Sequence, residues 1–567
     1  MAERVDVLIC GSGFGGSITA FRLAELYHAA GANARNVLVL ERGKRFKHTE
    51  FRQSMDVEHL SDVYELIQGQ GAQVVVANAV GGGSNLYLAA SLRAPTETFE
   101  RRDRRPGDGP DRRMWPARIS RRTLDPYYAR AERGLRVNQP AWKDVSKSGG
   151  LWAATLAAAG YTCDRVPVAI SPQRCVNAKW CHTGCIFGAK NSLITNYLPS
   201  AERLGVQVRP GTEVESVRQS SARPYRYIAT TGAGAEIECK VLVLSTGAMG
   251  NAPILMRSQT ALPALSQELG KHLGVNGDHI AAIEYDPNRV RQLLRLPGYA
   301  DFHKGKPITT MTYDFWVGRR SHAYDGTRFN LQEIFLSTLT NFLYDDGRDP
   351  PGDPSWWGLQ KKQAVARWAN RIELLAMVED THDGQFYATP PSGGAFRPNA
   401  GPVAVGTFSY ALSEQSVAVR EAANAAMKRI GERRGLGRFM ALTETQGAYA
   451  AHPLGGCRMA ESSDLGVTDD TGAVYGYEGL FCIDSSIIPT SLGVNPSLTI
   501  AAVSERAADA LVIRAGDLGL PARPARFRPG IPSEIVGERV IPRVPAPARR
   551  RRRKRRTRRR RRPLARR

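Results

Sequence analysis

The chain has 567 residues, of which 42% are hydrophobic and 8% aromatic, as is ordinary for a globular protein long enough for a large core and a second domain. No run of eighteen apolar residues occurs, so we expect no transmembrane helix. The chain opens almost at once on a strand, without the pattern of a signal peptide, and its eight irregularly spaced cysteines are typical of reduced thiols, which together favour a cytoplasmic protein.

The formal net charge of +24 comes largely from one end of the chain. Residues Arg549–Arg567 contain fifteen basic residues and no acid, which leaves +9 for the rest. Such a tail cannot bury apolar surface, and we expect it to be disordered. It can bind anions such as nucleic acid non-specifically, or it can be a solvated appendage without a role. The preceding segment, Pro521–Pro547, is rich in proline and arginine and is typical of a linker.

The first predicted elements are a strand, a glycine-rich turn and a helix. Val5–Cys10 is mostly apolar and of strand length, and Ile18–Ala30 has the apolar spacing of a helix. A second strand, Val37–Leu40, ends in Glu41, a carboxylate placed to accept hydrogen bonds from a ribose. Between the first strand and the helix, the pattern G-x-G-x-x-G is formed by Gly11, Gly13 and Gly16. This order indicates a dinucleotide-binding unit with the pyrophosphate at the helix N-terminus.

The middle of the chain predicts further strands of the same unit. Val208–Lys240 alternates in strand fashion with a glycine turn at Gly232 and Gly234, which indicates a small antiparallel meander. Val241–Leu244 is a further apolar strand that ends in the small residues Ser245–Gly247. Strands that end in small residues at one sheet edge define a nucleotide crevice.

A second sheet is predicted further along. Met311–Phe335 and Ile372–Tyr387 contain strand-like apolar runs, and the polar segment Tyr344–Asn370 between them reads as an insertion that becomes helical. Ser413–Arg429 has the spacing of a helix. We expect these elements to form the sheet of a substrate domain.

Two polar residues on stiff turns lie near the C-terminal end. His452 is in AHPLGGCRM, and Asn495 follows a short strand, Leu480–Ile483, that ends in Asp484. Pro496 occupies the position of a first helical residue, and an apolar-periodic helix is predicted to about Leu511. Histidine is a natural acid or base near neutral pH, and an asparagine can fix a substrate oxygen by a hydrogen bond.

Together these motifs resemble the glucose–methanol–choline (GMC) family of flavoprotein oxidoreductases, over most of the chain. Within that family the chain looks closest to a cholesterol-oxidase-like branch, on the basis of VGGGS, HPLGGC, GVNPSLTI and the segment Leu273–Asp278. Tyr87 stands where some members have an asparagine, so no flavin contact is assigned to that side chain. The matching pieces are GSGFGG with Glu41, Val80–Ala90, Val241–Ser258, AHPLGGCRM and the segment from Asp484 to Ala508.

The resemblance implies an α/β fold with a discontinuous Rossmann-like FAD-binding domain and an α+β substrate domain built on an antiparallel sheet. The expected ranges are 1–95, 181–285 and 446–518 for the FAD-binding domain, 96–180 for a cap, 286–445 for the substrate domain, 519–548 for the linker and 549–567 for the tail. The cofactor implied is FAD, with no metal. The substrate implied is an alcohol, of sterol type if the chain follows the cholesterol-oxidase-like branch, and the electron acceptor is dioxygen or an unknown carrier.

The resemblance also implies site residues. His452 and Asn495 are the expected catalytic pair. Glu333 lies in the apolar segment FNLQEIFLS, where the resemblance suggests the base of a steroid isomerisation; an ion-paired or edge-exposed glutamate is the equally weighted alternative. The expected FAD-binding residues are Gly11, Gly13, Phe14, Gly15, Gly16, Glu41, Gly82, Gly83, Ser84, Val214, Thr246, Gly247, Asp484, Asn495 and Pro496.

Four alternatives remain open at this level. Cys175, Cys181 and Cys185 with His182 have a spacing that suggests metal ligation, but a C-x-x-C pair and a second ligand cluster are absent from the sequence, which favours a structural segment. The chain can also be a catalytically silent flavoprotein that binds partners through its basic tail. A nicotinamide-dependent enzyme would use the same glycine fingerprint. Among flavin enzymes, a sugar or polyol dehydrogenase with an acceptor other than oxygen is the alternative to a sterol oxidase.

Overall fold

The structure is a computed structural model that describes residues 2–54, 57–103, 112–296, 305–316, 326–335, 358–387, 408–441, 448–536 and 539–541. Its helices, in chain order, are α1 (Phe14–Ala29), α2 (Val57–Val63), α3 (Thr96–Phe99), α4 (Arg121–Gly134), α5 (Lys147–Ala159), α6 (Tyr197–Arg203), α7 (Ala248–Arg257), α8 (Pro287–Arg289), α9 (Leu359–Ala366), α10 (Glu414–Gly431) and α11 (Ser497–Ile513).

The described strands, in chain order, are β1 (Glu3–Cys10), β2 (Val37–Leu40), β3 (Tyr64–Gln68), β4 (Ala72–Ala77), β5 (Arg102–Asp103), β6 (Arg112–Arg113), β7 (Asp164–Arg165), β8 (Gln207–Arg209), β9 (Val214–Gln219), β10 (Tyr227–Thr231), β11 (Glu236–Leu244), β12 (Asp278–Tyr285), β13 (Ile308–Thr312), β14 (Phe329–Ile334), β15 (Arg371–Val378), β16 (Gln385–Phe386), β17 (Phe408–Ser409), β18 (Gly437–Ala441), β19 (Ala448–Ala450), β20 (Leu480–Cys482), β21 (Glu534–Val536) and β22 (Arg539–Ile541).

The first large sheet gathers strands from distant parts of the chain. Its order is β8-β2-β1-β11-β10-β9, and β20 also pairs with β11. The strands β8, β2, β1, β11 and β20 run parallel, whereas β9, β10 and β11 form the antiparallel meander predicted from the sequence. The predicted strand at Val241–Leu244 is the second half of β11, because the whole segment from Glu236 is continuous.

The parallel strands of this sheet end side by side. Cys10 pairs with Leu40 and Leu244, and Leu244 pairs with Cys482. The residues that follow each strand therefore meet at one edge, which is where open α/β sheets bind their ligands. Helix α11, which begins one residue later than predicted and runs to Ile513, packs with α1 beside this sheet.

The second large sheet is antiparallel throughout, with the order β18-β12-β15-β14-β13-β7. One face packs with α5 and α10 around a separate core that contains Phe329 and Leu331. The other face contributes Met311, Leu375 and Met377 to the main core shared with the first sheet. Strand β12 was expected with the FAD-binding segments up to residue 285, but it pairs inside this second sheet.

The predicted linker begins as a packed segment. Gly530 accepts a hydrogen bond from Arg22 on α1 at 2.9 Å and donates one to Glu25 at 2.7 Å. Ser533 donates its N–H to Ser200 on α6 at 3.0 Å. The predicted poly-arginine tail lies outside the described residues, as does most of the predicted insertion before α9. No helix among the described residues has both the length and the apolar character needed to cross a membrane.

Candidate active site

The glycine-rich turn after β1 combines close packing with an open position. Gly11 has φ +94°, and a Cβ there would lie 2.2 Å from the carbonyl oxygen of Ser245. A Cβ on Gly15 would lie 1.5 Å from the carbonyl oxygen of Ile483, so these glycines let the turn approach the neighbouring strands. Gly16 approaches Gly11 in the same way.

Gly13 differs from those three, because a Cβ there would meet no atom of the described residues within 4 Å. Gly13 is the N-cap of α1, and as a glycine it provides no side-chain cap for the helix. The first N–H groups of α1 therefore face a position where an anion would be favoured.

Glu41 ties this turn to the end of β2. Its Oε2 accepts hydrogen bonds from the N–H and the hydroxyl of Ser12 at 3.0 and 2.7 Å, and its Oε1 accepts from the N–H of Gly43 at 3.1 Å. The backbone N–H of Thr212 donates to the Glu41 carbonyl at 2.9 Å, which brings the start of β9 at Val214 toward the same end. Each carboxylate oxygen has more than one acceptor site, so Glu41 can also take a ribose hydroxyl.

A second glycine-rich turn packs on the first. The N–H of Gly81 donates to the Ser12 hydroxyl at 2.9 Å, and a Cβ on Gly82 would lie 2.9 Å from Cα of Gly13. A Cβ on Gly83 would meet no atom within 4 Å in the part of the chain that the structure describes. The Ser84 hydroxyl donates to the Gly81 carbonyl at 2.7 Å and accepts from the N–H of Leu193 at 3.0 Å, so its role here is to hold the turn. Phe14, at the start of α1, packs edge-on against Tyr87 with 5.9 Å between ring centroids.

The carboxylate after β20 closes the same edge. Asp484 accepts from the N–H of Gly247 at 2.6 Å, from Asn251 at 3.0 Å and from Ser486 at 2.8 Å. Burial raises the pKa of this carboxyl, and its hydrogen bonds oppose that shift. Thr246 donates its hydroxyl to Asn251 at 2.6 Å. The N-terminus of α1, the open positions at Gly13 and Gly83, and the buried carboxylate of Asp484 together fit the FAD expected from the sequence.

His452 is held by a carboxylate from the second sheet. Its Nδ1 lies 2.6 Å from Oδ1 of Asp278, the first residue of β12, and Oδ2 of Asp278 accepts the N–H of Ala451 at 3.0 Å. The side chain of His452 is 21% exposed. Its Nε2 has no hydrogen-bond partner among the described residues. The carboxylate fixes the tautomer with the proton on Nδ1, which leaves Nε2 as an acceptor.

One loop joins the His452 turn to the Asn495 turn. The backbones of Gly274 and Leu454 exchange both hydrogen bonds, at 2.8 and 2.9 Å. Asn276 donates to the carbonyl of Val494 at 2.9 Å and accepts the N–H of Leu492 at 2.7 Å. Its φ of +57° is one that asparagine tolerates better than most residues. Residues 274–278 thus hold both predicted catalytic turns.

Asn495 is 7% exposed, and its buried Oδ1 has no hydrogen-bond partner among the described residues. Pro496 follows as the N-cap of α11. A buried amide oxygen without a partner is uncommon in a folded protein and marks a side chain that a bound group can contact. The Asn495 side chain is therefore available to a bound group beside the positive end of α11.

Glu333 is not brought to this site. It lies on the face of β14 that carries Phe329 and Leu331, whereas Asn330 on the opposite face bonds the carbonyl of Gly493 in the Asn495 turn. The fully buried Glu333 carboxylate accepts from Ser148 and, at 3.2 Å, from Thr309, and Nζ of Lys179 is 3.9 Å away. Burial raises the pKa of Glu333, and Lys179 opposes that shift. Of the two interpretations of this residue, the structure favours the buried, ion-paired glutamate.

The residues that sequence reasoning did not single out are Asp278 and Asn276. They lie in the segment Leu273–Asp278, which carried the family resemblance without a role. A conspicuous signal was present, since Asp278 is an acid at the start of an apolar strand, where a carboxylate needs a partner. The partner is 174 positions away in the sequence, so the pairing itself depends on the fold.

In the cysteine-containing segment after α5, Cys181 is buried, whereas Cys175 and Cys185 are partly exposed. Burial raises the pKa of the Cys181 thiol to about 12 and lowers the pKa of His182 to about 4. The His182 ring stacks on Trp180 with 5.4 Å between centroids. Within the part of the chain that the structure describes, His, Cys, Asp and Glu side chains form no cluster of three suited to a metal. Lys190 in this segment donates to the carbonyls of Asn85 and Tyr87, which supports the second glycine turn.

Comparison with known proteins agrees with this architecture. Two models of the GMC oxidoreductase family match the chain, the N-terminal one over residues 5–274 and the C-terminal one over residues 398–504. The chain therefore belongs to the GMC oxidoreductase family, as the sequence motifs predicted, and it is an oxidoreductase.

Individual relatives cover most of the chain. Cholesterol oxidase of Mycobacterium tuberculosis is 28% identical over 578 residues, which cover 90% of this chain and 91% of that protein. Long-chain-alcohol oxidase FAO4B of Arabidopsis thaliana is 24% identical, with 88% of this chain and 66% of that protein covered. Pyridoxine 4-oxidase from Mesorbium loti has a similar fold, with a TM-score of 0.57, 16% identity, and coverage of 89% of this chain and 99% of that one. The predicted fold class is confirmed.

Proposed function

We propose that this protein is an FAD-dependent enzyme that oxidises an alcohol to a carbonyl compound, with His452 and Asn495 on the reacting hydroxyl. The observation that carries the proposal is the free acceptor Nε2 of His452 together with the Asn495 amide, which makes no side-chain hydrogen bond among the described residues, on two turns held by one loop. A catalytically silent flavoprotein would have no need of a carboxylate that orients the histidine.

One set of residues is assigned to the cofactor. The N-terminus of α1 and Glu41 would hold the pyrophosphate and a ribose of FAD, and the open positions at Gly13 and Gly83 would leave room for it. FAD, once bound, supplies the acceptor for the hydride that leaves the substrate carbon. Asn495 lies at the N-cap end of α11, where the helix dipole favours negative charge.

His452 acts as the base. The hydroxyl proton of the substrate passes to Nε2 as the carbon–hydrogen bond breaks and the carbonyl forms. The resulting imidazolium is stabilised by Asp278, which already accepts from Nδ1. Asn495 orients the substrate oxygen by a hydrogen bond from its amide. The substrate thus loses its hydroxyl proton to His452 and a hydride from its carbon, and it becomes the carbonyl compound.

The substrate we propose is a bulky apolar secondary alcohol of sterol type, with dioxygen or a further carrier as the final acceptor. Part of the support is that Met311, Leu375 and Met377, three apolar residues buried in the main core, share a face of the second sheet with Asp278. The cholesterol oxidase and long-chain-alcohol oxidase relatives point to the same kind of substrate. Because Glu333 lies on the other face, the proposed reaction ends at the ketone without movement of a neighbouring double bond.

An absorbance experiment tests this function. Purified protein should be yellow and release FAD on denaturation, and the flavin spectrum should bleach when sterols or other bulky alcohols are added anaerobically. Admission of air then shows whether dioxygen restores the spectrum. Protein that binds no FAD, or whose bound flavin is reduced by none of a broad panel of sterols, polyols and fatty alcohols, contradicts the proposal.

A further inference from the structure

The face of the second sheet that bears Asp278 also carries two amide side chains. Asp278 pairs with Met377, which pairs with Asn330, so these three residues form one row across the sheet. Residues paired directly across neighbouring strands point to the same face. In the next row on this face Gln332 lies between Leu375 and Met311. Two amides thus lie on this face beside the apolar side chains of Met311, Leu375 and Met377.

Hydrogen bonds fix which way these amides point. The carbonyl of Gly493 can only accept, so Asn330 presents its NH₂ group to it. Asn330 then offers its Oδ1 to Gln332, whose Nε2 donates to it at 2.8 Å. The chain of donors leaves Oε1 of Gln332 without a partner among the described residues, although Gln332 is fully buried.

An unpartnered acceptor at this depth indicates a ligand group, since buried carbonyl oxygens are nearly always hydrogen-bonded. We propose that Gln332 is a substrate-recognition residue whose Oε1 accepts a hydrogen bond from a second donor on the substrate, away from the reacting carbon. The preferred substrate is then an apolar alcohol that carries a second hydroxyl or an N–H group. This proposal rests on the proposed function, whose reacting hydroxyl it uses as the reference point.

The reacting hydroxyl cannot itself serve Gln332. It has one proton, and that proton is directed to Nε2 of His452, which Asp278 orients. Gln332 lies two strands away from Asp278 in the sheet and two residues further along its own strand. The Cα atoms of Asp278 and Gln332 are therefore about 12 Å apart. A fused-ring or long aliphatic skeleton bridges that span, so the second donor lies on a distant part of the same molecule.

The test compares matched pairs of ligands in two protein variants. Fused-ring and straight-chain alcohols with a single hydroxyl are paired with diols that have the same skeleton and a second hydroxyl at varied positions. Dissociation constants are measured by calorimetry on the FAD-loaded protein, and flavin reduction rates are measured separately. In the wild type, at least one diol should bind about 10- to 100-fold more tightly than its single-hydroxyl partner.

Gln332→Leu should abolish that preference and bind the single-hydroxyl alcohols as well as the wild type does or better. Leu331→Met, on the opposite face of the same strand, should keep the preference. FAD content and thermal unfolding show whether each variant is folded. If Gln332→Leu does not fold, Gln332→Met serves as a second apolar replacement. The proposal is overturned if no diol binds the wild type more tightly than its single-hydroxyl partner. It is also overturned if the preference for a diol persists in both apolar variants. A diol preference without any flavin reduction would support the recognition role and contradict the proposed oxidation instead.

Discussion

His452 and Asp278 are joined by a 2.6 Å contact between Nδ1 and a carboxylate oxygen, across 174 positions of sequence. The second oxygen of the same carboxylate accepts the N–H of Ala451, so Asp278 holds both the ring and the backbone next to it. The contact couples the first residue of β12 in the second sheet to a turn that reaches the edge of the first sheet.

Replacement of Asp278 by asparagine should slow flavin reduction by about 10²- to 10⁴-fold. An asparagine can donate to Nδ1, which would favour the tautomer with the proton on Nε2 and remove the acceptor that the mechanism needs. FAD content should be unchanged, and the loss should fall on the reduction rate at saturating substrate more than on KM. Asp286→Asn at the other end of β12 is a matched control, because asparagine caps α8 as well as aspartate does. An Asp278→Asn protein with wild-type reduction rates would exclude the orienting role.

Removal of the predicted base tests the proton transfer directly. His452→Ala should slow flavin reduction by about 10²- to 10⁴-fold, the usual loss for an acid–base group. Asn495→Leu should also slow it, because a side chain of similar size without an amide cannot hold the substrate oxygen. Both proteins should still bind FAD, and anaerobic stopped-flow absorbance is the measurement. If both variants reduce flavin at the wild-type rate, these residues do not belong to the reaction centre.

The sequence predicted the elements around these residues better than their side-chain directions. The glycine turn, the meander, α10 and α11 follow from local patterns, since turn residues, alternation and helical spacing are local properties. In FNLQEI, by contrast, both faces of β14 are buried, so alternation separates Glu333 from Gln332 without showing which face meets the site. Glu333 is the only charged residue of this segment, and its charge made it the candidate. The contact of Asn330 with Gly493 shows that the opposite face of β14 meets the Asn495 turn. The pairing of Asp278 with His452 is long-range and depends on the packing of two domains.

Glu41→Ala should weaken FAD retention. The change removes the acceptor of the two Ser12 hydrogen bonds as well as the acceptor expected for the ribose. Glu41→Gln keeps the shape but has one acceptor oxygen fewer, so it should fall between the wild type and alanine. The measurement is the FAD content after gel filtration and the concentration of added FAD that restores the spectrum. Wild-type retention in the alanine variant would remove Glu41 from the cofactor site.

Glu333→Gln should leave the reaction product unchanged while it lowers stability. The carboxylate is buried with Lys179 and accepts from Thr309, so its loss leaves a buried cation with a neutral partner and costs about 3 kcal/mol. The product of a sterol with a neighbouring double bond should be the unconjugated ketone in both proteins, read from the absence of conjugated-enone absorbance. A conjugated product in the wild type that disappears in Glu333→Gln would instead establish Glu333 as an isomerisation base.

Glu373 provides a stability test that depends on pH. Burial raises its pKa to about 7 from an ordinary value of 4.5, against hydrogen bonding from Trp368 and the charge of Arg371. Between these two values the folded protein binds more protons at this position than the unfolded chain does, so its contribution to stability falls as pH rises. The wild-type melting temperature should therefore decline from pH 5 to pH 7.5 more steeply than that of Glu373→Gln, which cannot ionise. Below pH 4 the two proteins should differ little, because the carboxyl is protonated in both states of the wild type. If the melting temperatures of the two proteins change with pH by the same amount across this range, Glu373 does not titrate with a raised pKa.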